Sequence, residues 1–595
     1  MIATEKNGSS RSGLLRSLLP IITWLPRYER TWLRADLMAG LAVWAMMVPQ
    51  ALAYAGIAGV PPVYGLYAIP LAMIAYAVFG TSRTLCVGPE SAIAIISAVT
   101  VGGLMVQDPN EFLALTSLLA FIVGVLFIVF GLLRLGWVAN FLSQPVLQGF
   151  TQGIALIVIV GQTPLVFGTE AEFARMVGEL AESVPTGFFA KAWVVMATLG
   201  NASLPTTIVG LASLALLVAF KRFVPGAPSA LIAVILSVLV VSLLDLAAHG
   251  VNVIGEVETG MVRLSIPVLS LDKVAALMPG AFAIVLLGYS VSLGVAAAGA
   301  QATGEEINPN KELVGLGVAN LGAAFSSGFV VCGSLSRGVV IRRAGGQTQV
   351  VSLVNAGLMF LTLLFALPLF FKLPNATLSA IVIMALSGVL NFTYFRRLYR
   401  IDHGEFAYGM AALFGVLVLG IMEGVALGVI LALVVLIRRV SRPTTAVLGR
   451  LSGTETYRDI TANPEAEEFP GLLIFRFDAP VIFPNAGYFA DKVRRFIAKA
   501  ESPVREVLVA AQQINHLDST GADQLAKLQA ELGPKGVVFS FAEVKSALRE
   551  VMHKTGLEGK IGADHFYKSI EDGVQAYLYN NEQATDKKVI SVESE

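Results

Sequence analysis

The stretch Val330–Arg343, VVCGSLSRGVVIRR, decides how this chain is read. It lies between long apolar runs and sets a permanent cation, Arg337, among small and apolar residues. An Arg at the centre of a bilayer-spanning helix costs about 2.5–3.5 kcal/mol on insertion scales, so such a residue has a partner or marks a site. Working outward shows which of these surrounds it.

The 595-residue chain is 55% hydrophobic and 14% charged, with no formal net charge. Its mean hydropathy is +0.72. A soluble protein would carry roughly a quarter charged residues, so a bilayer is the expected solvent for most of the chain. The neutral balance gives no basic field for a nucleic-acid partner. Cys86 and Cys332 are too few for a disulfide framework. The basic N-terminal stretch, residues 1–32, lacks the apolar run and small-residue cleavage site of a signal peptide.

A span needs about 20 apolar residues. Apolar segments fall at 36–57, 64–80, 87–102, 112–133, 138–162, 203–220, 227–248, 276–300, 311–330, 334–345, 347–371, 376–391, 405–420 and 422–437. The expected transport domain is therefore 33–440. If the N-terminus is cytoplasmic, the gaps after even-numbered segments are too. Those gaps hold Arg83, Arg134, Lys221, Arg222, Lys311, Arg342, Arg343, Arg396, Arg397, Arg400, Arg438 and Arg439, while the opposite gaps are poorer in Lys/Arg and hold Asp108, Glu170, Glu172, Glu179 and Glu182. This positive-inside bias places both termini in the cytoplasm.

Fourteen segments divide into two sevens. An odd-numbered half inverts when duplicated, which predicts inverted repeats and makes the third and tenth segments counterparts. The third opens as CVGPESAIAI, Cys86–Ile95, and the tenth as CGSLSRGVVI, Cys332–Ile341. Both are short, open with small residues and carry one ionisable group, the sequence pointer to a transporter's binding site. Helices beginning in mid-membrane present unpaired N–H groups and positive dipole ends, which favour an anion. Ser334 and Ser336 add hydroxyl donors. In the competing reading Arg337 is structural, pinned to carbonyls or to Glu90, or snorkelling towards the face that bears Arg342. The two cysteines read as small packing residues.

From 441 onward the pattern changes to short strand-like runs, EVLVAA and GVVFSF, alternating with amphipathic stretches. This is the βαβ rhythm of a small α/β domain over 441–580. The polar tail 581–595 reads as disordered. Asp518, Ser519 or Thr520 can cap the helix that begins near Gly521. His516 and His553 lack metal-ligand spacing, and no Walker A pattern supports an ATP-driven pump. No nucleophile–base set, metal cluster or cofactor motif supports an enzyme.

Several blocks carry a family resemblance. PPVYGLYAIPLAMIAYAVFGTSR (Pro61–Arg83), VPQALAYAGIAGVPP, VGPESA, INPNKELVGLGVANL and GSLSRG resemble, in order, the blocks of the sulfate permease family of anion transporters. LVAAQQINHLDSTGADQLAKL (Leu508–Leu528) resembles the hallmark of a STAS domain. The resemblance implies a polytopic α-helical membrane protein of 7+7 inverted repeats, with a core domain moving against a gate domain in elevator fashion, a cytoplasmic STAS domain and a homodimer. It implies an anion site between the third and tenth segments. Gln50 and Tyr54 would line it from the first segment, Glu90 and Ser91 from the third, and Ser334, Leu335, Ser336 and Arg337 from the tenth. In related anti-sigma-factor antagonists the serine corresponding to Ser519 is phosphorylated.

One block departs from the family. The eighth segment reads GYSVSLG, Gly288–Gly294, with Val291 where many members carry an acidic residue tied to proton coupling. That leaves Glu90 as the carboxylate expected at mid-membrane and the candidate proton carrier, against the alternative that it neutralises Arg337.

The expected function is secondary active transport of a small inorganic anion, sulfate first, coupled to protons or sodium, in a plasma membrane of the bacterial inner-membrane kind. The alternatives are a bicarbonate or C4-dicarboxylate transporter, an anion exchanger or channel on the same fold, and a nucleobase transporter. The last is opposed by Arg337 and the STAS domain.

Overall fold

A computed structural model describes residues 19–106, 108–141, 143–181, 187–224, 227–255 and 264–592. The chain divides into two compact units, Met1–Ala432 and Leu433–Glu595.

The first unit begins with α1 (Leu33–Ile57), α2 (Val63–Tyr67) and α3 (Pro70–Phe79). A two-residue strand, β1 (Val87–Gly88), then leads into α4 (Ser91–Gly102). There follow α5 (Pro109–Leu132), α6 (Gln144–Phe167), α7 (Glu170–Ala181), α8 (Phe188–Thr198), α9 (Leu204–Phe223) and α10 (Ser229–Leu243). Next are α11 (Leu271–Thr303) and α12 (Pro309–Phe325), then a second two-residue strand, β2 (Cys332–Gly333), leading into α13 (Leu335–Arg343). The unit closes through α14 (Val350–Leu361), α15 (Asn375–Ser387), α16 (Phe392–Ile401) and α17 (His403–Leu419) into α18 (Ile421–Ser441), which crosses the division between the units.

Thirteen of the fourteen apolar segments each fall on one of these helices, and 64–80 takes in two, α2 and α3. Among the described residues seven helical stretches are long and apolar enough to cross a membrane, and shorter apolar helices lie at Val63–Phe79, Ser91–Gly102, Ser229–Leu243 and His403–Leu419. Three helices come from stretches read as gaps: α7, α8 and α16. Charged residues punctuate α7 and α16, while α8, apolar but for Lys191, has only 11 residues, so no span-length apolar run announces them. α16 holds Phe395 and Leu398 buried while presenting Arg396 and Arg397.

Helix α5 packs on α12, and α3 on α14. α1 and α11 each lie beside one of these pairs, α1 on α14 and α11 on α5. α11 also contacts α4, and α1 contacts α13. A second group is built from α6 on α17 and α15, with α9 on α15. Apolar side chains gain little from each other over lipid, so close backbone approach is what holds such helices together. A Cβ on Gly149 of α6 would stand 2.0 Å from the Gly409 carbonyl of α17, so only glycine permits that crossing.

In the second unit, six strands run in the order β4-β3-β5-β6-β7-β8: β3 (Thr445–Arg450), β4 (Tyr457–Asp459), β5 (Leu472–Phe477), β6 (Glu506–Ala510), β7 (Val538–Ala542) and β8 (Phe566–Tyr567). β3 is antiparallel to both β4 and β5, and β5 to β8 are parallel. The parallel strands are linked by α19 (Ala486–Lys499), by α20 (Ser519–Leu532), and by α21 (Ser546–Lys554) with α22 (Leu557–Ile561). Phe475, Phe477, Phe489 and Phe541 fill the core on one face of the sheet. The last helix, α23 (Ile570–Val592), runs on through 581–592, where a disordered tail is expected from the sequence. That stretch, NEQATDKKVISV, includes the helix-favouring Glu, Gln, Ala and Lys.

Candidate functional site

The two short strands meet. β1 and β2 pair antiparallel, Val87 opposite Gly333 and Gly88 opposite Cys332. α4 and α13 therefore start side by side from one two-stranded ladder, deep among buried residues. Both strands are clamped from the sides. The Asn320 amide of α12 donates to the Val331 carbonyl and accepts from the Val331 N–H, at 2.9 and 3.0 Å. The Ser292 hydroxyl of α11 accepts from Gly333 N at 2.9 Å. Gln349 donates to the carbonyls of Ser82 and Leu85, at 2.7 and 2.9 Å, before the chain enters β1. Extended backbone buried in apolar surroundings must find such partners.

The two helix starts differ. Glu90 caps α4 with its own carboxylate, which accepts from Ala92 N at 2.9 Å, from Ile93 N at 3.4 Å and from the Ser91 hydroxyl at 3.1 Å. That helix start is already closed by a carboxyl group. Ser334 stands at the N-cap of α13 in extended conformation and makes no side-chain cap bond. Its hydroxyl lies 3.0 Å from the Ser336 hydroxyl instead. The first N–H groups of α13 are thus left without a side-chain cap.

Arg337 is 1% exposed. Its Nη2 donates to the carbonyls of Pro89, at 2.7 Å, and Gly88, at 3.3 Å, while its Nε has no hydrogen-bond partner. Among the described residues it forms no ion pair with Glu90, so of the structural readings the carbonyl-pinned one describes the geometry. Gly88 makes room for it, since a Cβ there would stand 2.3 Å from Nη1. Sequence reasoning placed the cation and carboxylate near each other. Carbonyls are among the partners that the sequence admits for Arg337, whereas the hold of helix N–H groups on Glu90 is not anticipated.

Tyr54 is buried near Ser91, Glu90 and Arg337. One turn earlier on α1, Gln50 lines a cavity of about 580 Å3 with Met46, Lys221, Val340 and Arg343. Ser336, Val340 and Arg343 are spaced i, i+4, i+7 along α13 and share one face. Leu335, 57% exposed, and Ser336 stand at the open side of the site. All eight residues singled out in the sequence thus lie on α1 or at the starts of α4 and α13. Val291 is half-buried and packs with the apolar core.

Two buried carboxylates were not anticipated. Asp36 accepts from Gln347 N and from the Thr348 hydroxyl, each at 2.6 Å. Glu312 accepts from the Tyr76 hydroxyl and from Thr81 N. Each stands at the very start of an apolar segment near a charged residue, Arg34 or Lys311, where the sequence reads as a solvated segment end. Among the described residues no group of His, Cys, Asp and Glu is arranged to hold a metal ion.

The profile of the sulfate permease family matches residues 33–412, and that of the STAS domain residues 463–573. The chain belongs to the sulfate permease family. A probable sulfate transporter of Mycobacterium tuberculosis is 34% identical over 569 residues, covering 94% of this chain and all of that one. The chloroplastic sulfate transporter 4.1 of Arabidopsis thaliana is 29% identical, covering 94% of this chain and 83% of that one. Among solved structures, SLC26A9 superimposes with a TM-score of 0.85 at 22% identity, covering 97% of this chain and 95% of that one. The transmembrane domain of the cyanobacterial bicarbonate transporter BicA gives 0.57 at 24% identity, covering 68% and 98%. The protein is thus a multi-pass membrane anion transporter with the SLC26 fold and a C-terminal STAS domain, not an enzyme.

Proposed function

We propose that this transporter carries sulfate by secondary active transport, binding it at the uncapped start of α13. The observation that carries this reading is the difference between two paired helix starts. One is closed by Glu90, and the other is left open beside a buried Arg337 whose Nε has no partner. Ser334 and Ser336 offer hydroxyls and the first turn of α13 offers N–H groups, a donor set suited to an oxyanion. Gln50, Tyr54 and Ser91 complete the lining, and Arg337 supplies the positive field rather than a direct contact. The names of the relatives favour sulfate.

Inverted repeats are supported by the packing. Exchanging each segment for its counterpart seven places on turns the pair α5–α12 into α14–α3, α1–α14 into α11–α5, α11–α4 into α1–α13, and α6–α17 into α15–α9. The group around β1 and β2 is then the moving core. The group of α6, α9, α15 and α17 is the gate, and transport is an elevator movement of one against the other. The cavity at Gln50 leads towards Lys221 and Arg343, on the side that the positive-inside bias makes cytoplasmic, so the described conformation opens inward. Both termini and the STAS domain, 441–580, are then cytoplasmic, and the transport domain, 33–440, works as a homodimer in the plasma membrane.

Glu90 is the proton carrier in this reading. Protonation removes the negative charge that occupies the α4 dipole, and the arriving anion then meets two electropositive helix ends instead of one. At the STAS loop, Asp518 caps α20 through Gly521 N at 2.7 Å and also accepts from Phe483 N at 2.8 Å. Ser519 beside it is exposed and is the candidate phosphorylation site.

Counterflow of labelled sulfate into proteoliposomes, competed by bicarbonate, fumarate and chloride at two pH values, tests the substrate. Saturable sulfate uptake, faster on the acid side, is expected. Absence of sulfate uptake with strong uptake of bicarbonate or fumarate would replace the substrate.

A further inference from the structure

The second unit carries a basic cavity that anion transport does not use. Its volume is about 400 Å3, and Arg442, Tyr488, Asp491, Lys492 and Arg495 line it. The four residues from α19 are spaced i, i+3, i+4, i+7 and form one face of that helix. The opposite face, Phe489, Ala490 and Val493, is buried in the domain core. This face is therefore held rigidly outward.

The charges around the cavity are unbalanced. Asp491 is drawn aside by Arg494, at 2.9 Å, which also reaches Glu531 at 2.8 Å. Among the described residues Arg442, Lys492 and Arg495 pair with no carboxylate. Lys492 lies 5.3 Å from the Tyr488 ring centre and 5.8 Å from that of Phe496, which fixes the ammonium at the rim by cation–π attraction. Three cations converging on one cavity, with its one acid already paired to Arg494, form a site for a compact multivalent anion.

The position narrows the ligand. Asn485, the residue before α19, donates to the Val440 carbonyl at 3.1 Å and to the Pro480 carbonyl at 2.9 Å. This ties the start of α19 to the last turn of α18. The preceding residues of α18, Leu433, Val434, Leu436 and Ile437, are apolar and exposed, as lipid-facing residues are. Arg442 follows the helix directly. The cavity thus sits where a membrane helix ends, at headgroup level.

We propose that this cavity binds a phosphoryl group, either the phosphodiester of an anionic membrane lipid or a free phosphate ester. The site would couple the STAS domain to membrane charge or to soluble phosphate. Hydrogen exchange of residues 486–499 in the full chain tests this. The chain is placed in nanodiscs of phosphatidylcholine alone, of phosphatidylcholine with phosphatidylglycerol, and of phosphatidylcholine with glycerol 3-phosphate in solution. Slower exchange with phosphatidylglycerol supports the lipid source, and slower exchange with glycerol 3-phosphate supports the soluble source. Lys492→Gln should weaken the effect about fivefold, the worth of one cation near an anionic surface. Joint replacement of Arg442, Lys492 and Arg495 by Gln should remove it while exchange in α20 stays unchanged. No slowing with either ligand, or equal slowing in the triple variant, overturns the proposal.

Discussion

The Nη2 of Arg337 donates a 2.7 Å hydrogen bond to the backbone carbonyl of Pro89, 248 residues earlier in the chain. One side chain thereby joins the start of α13 to the strand that feeds α4. The cation is held by neutral carbonyls, so its charge remains uncompensated for an arriving anion. Hydrogen bonds to a charged group contribute about 1.5–3 kcal/mol each.

Replacing Arg337 by Gln should leave the fold intact and raise the KM for anion uptake about tenfold, as the loss of about 1–2 kcal/mol of charge attraction would. Uptake kinetics in proteoliposomes, with size-exclusion behaviour as the check on folding, measure this. A normal KM would reject the cation's role.

Gly88→Ala should mimic that loss without touching a charge. The new methyl would stand 2.3 Å from Nη1 of Arg337 and 2.8 Å from Met47 Cε, so the guanidinium must move. Reduced uptake with Arg337 still present is the expected result. Unimpaired uptake would show that the position of the cation is unimportant.

Asn320→Leu should destabilise the transport unit by about 1–3 kcal/mol, because the buried N–H and C=O of Val331 lose their partners. Thermal unfolding in detergent reads this as a lower Tm. An unchanged Tm would mean that the clamp at β2 is redundant.

Glu90→Gln separates the two roles of that carboxylate. If it carries the coupling proton, uptake by the variant loses its acceleration at acid pH. If the carboxylate only caps α4, the pH profile stays as in the parent while stability falls by about 1 kcal/mol, the usual worth of an N-cap.

In the STAS domain, burial raises the Glu506 carboxyl above its ordinary range, opposed by the Ser540 hydroxyl bonded to it and by nearby His565. A raised carboxyl favours the protonated native state. The domain should therefore be most stable below the carboxyl's unfolded pKa and lose stability as pH rises through the folded one. Glu506→Gln should flatten that dependence. Hydrogen exchange in β6 and β7 of the full chain, corrected for intrinsic rates, is the measurement; an equally steep dependence in the variant contradicts it.

The membrane class and the juxtaposition of the third and tenth segments were legible in the sequence. Apolar run length and the paired CVGPESA and CGSLSRG stretches both record a lipid solvent directly. That carbonyls pin Arg337 was one reading of the sequence, but not which ones, because carbonyls carry no side-chain signature. Asn320 was legible in principle, as an amide within the apolar run GVANLGAAF, yet only the fold reveals that it faces a bare strand. α7 and α16 escaped because amphipathic helices mix the charges that run counting treats as gaps, and α8 because its apolar run falls short of a span.

The central claim is where the anion sits. Crystals of the full chain soaked with selenate, a heavier analogue of sulfate, would locate it by anomalous scattering. The account predicts a peak at the start of α13, within hydrogen-bond reach of Ser334 and Ser336, lost in Arg337→Gln. A peak confined to the mouth of the cavity beside Lys221 and Arg343, with none at α13, would contradict it.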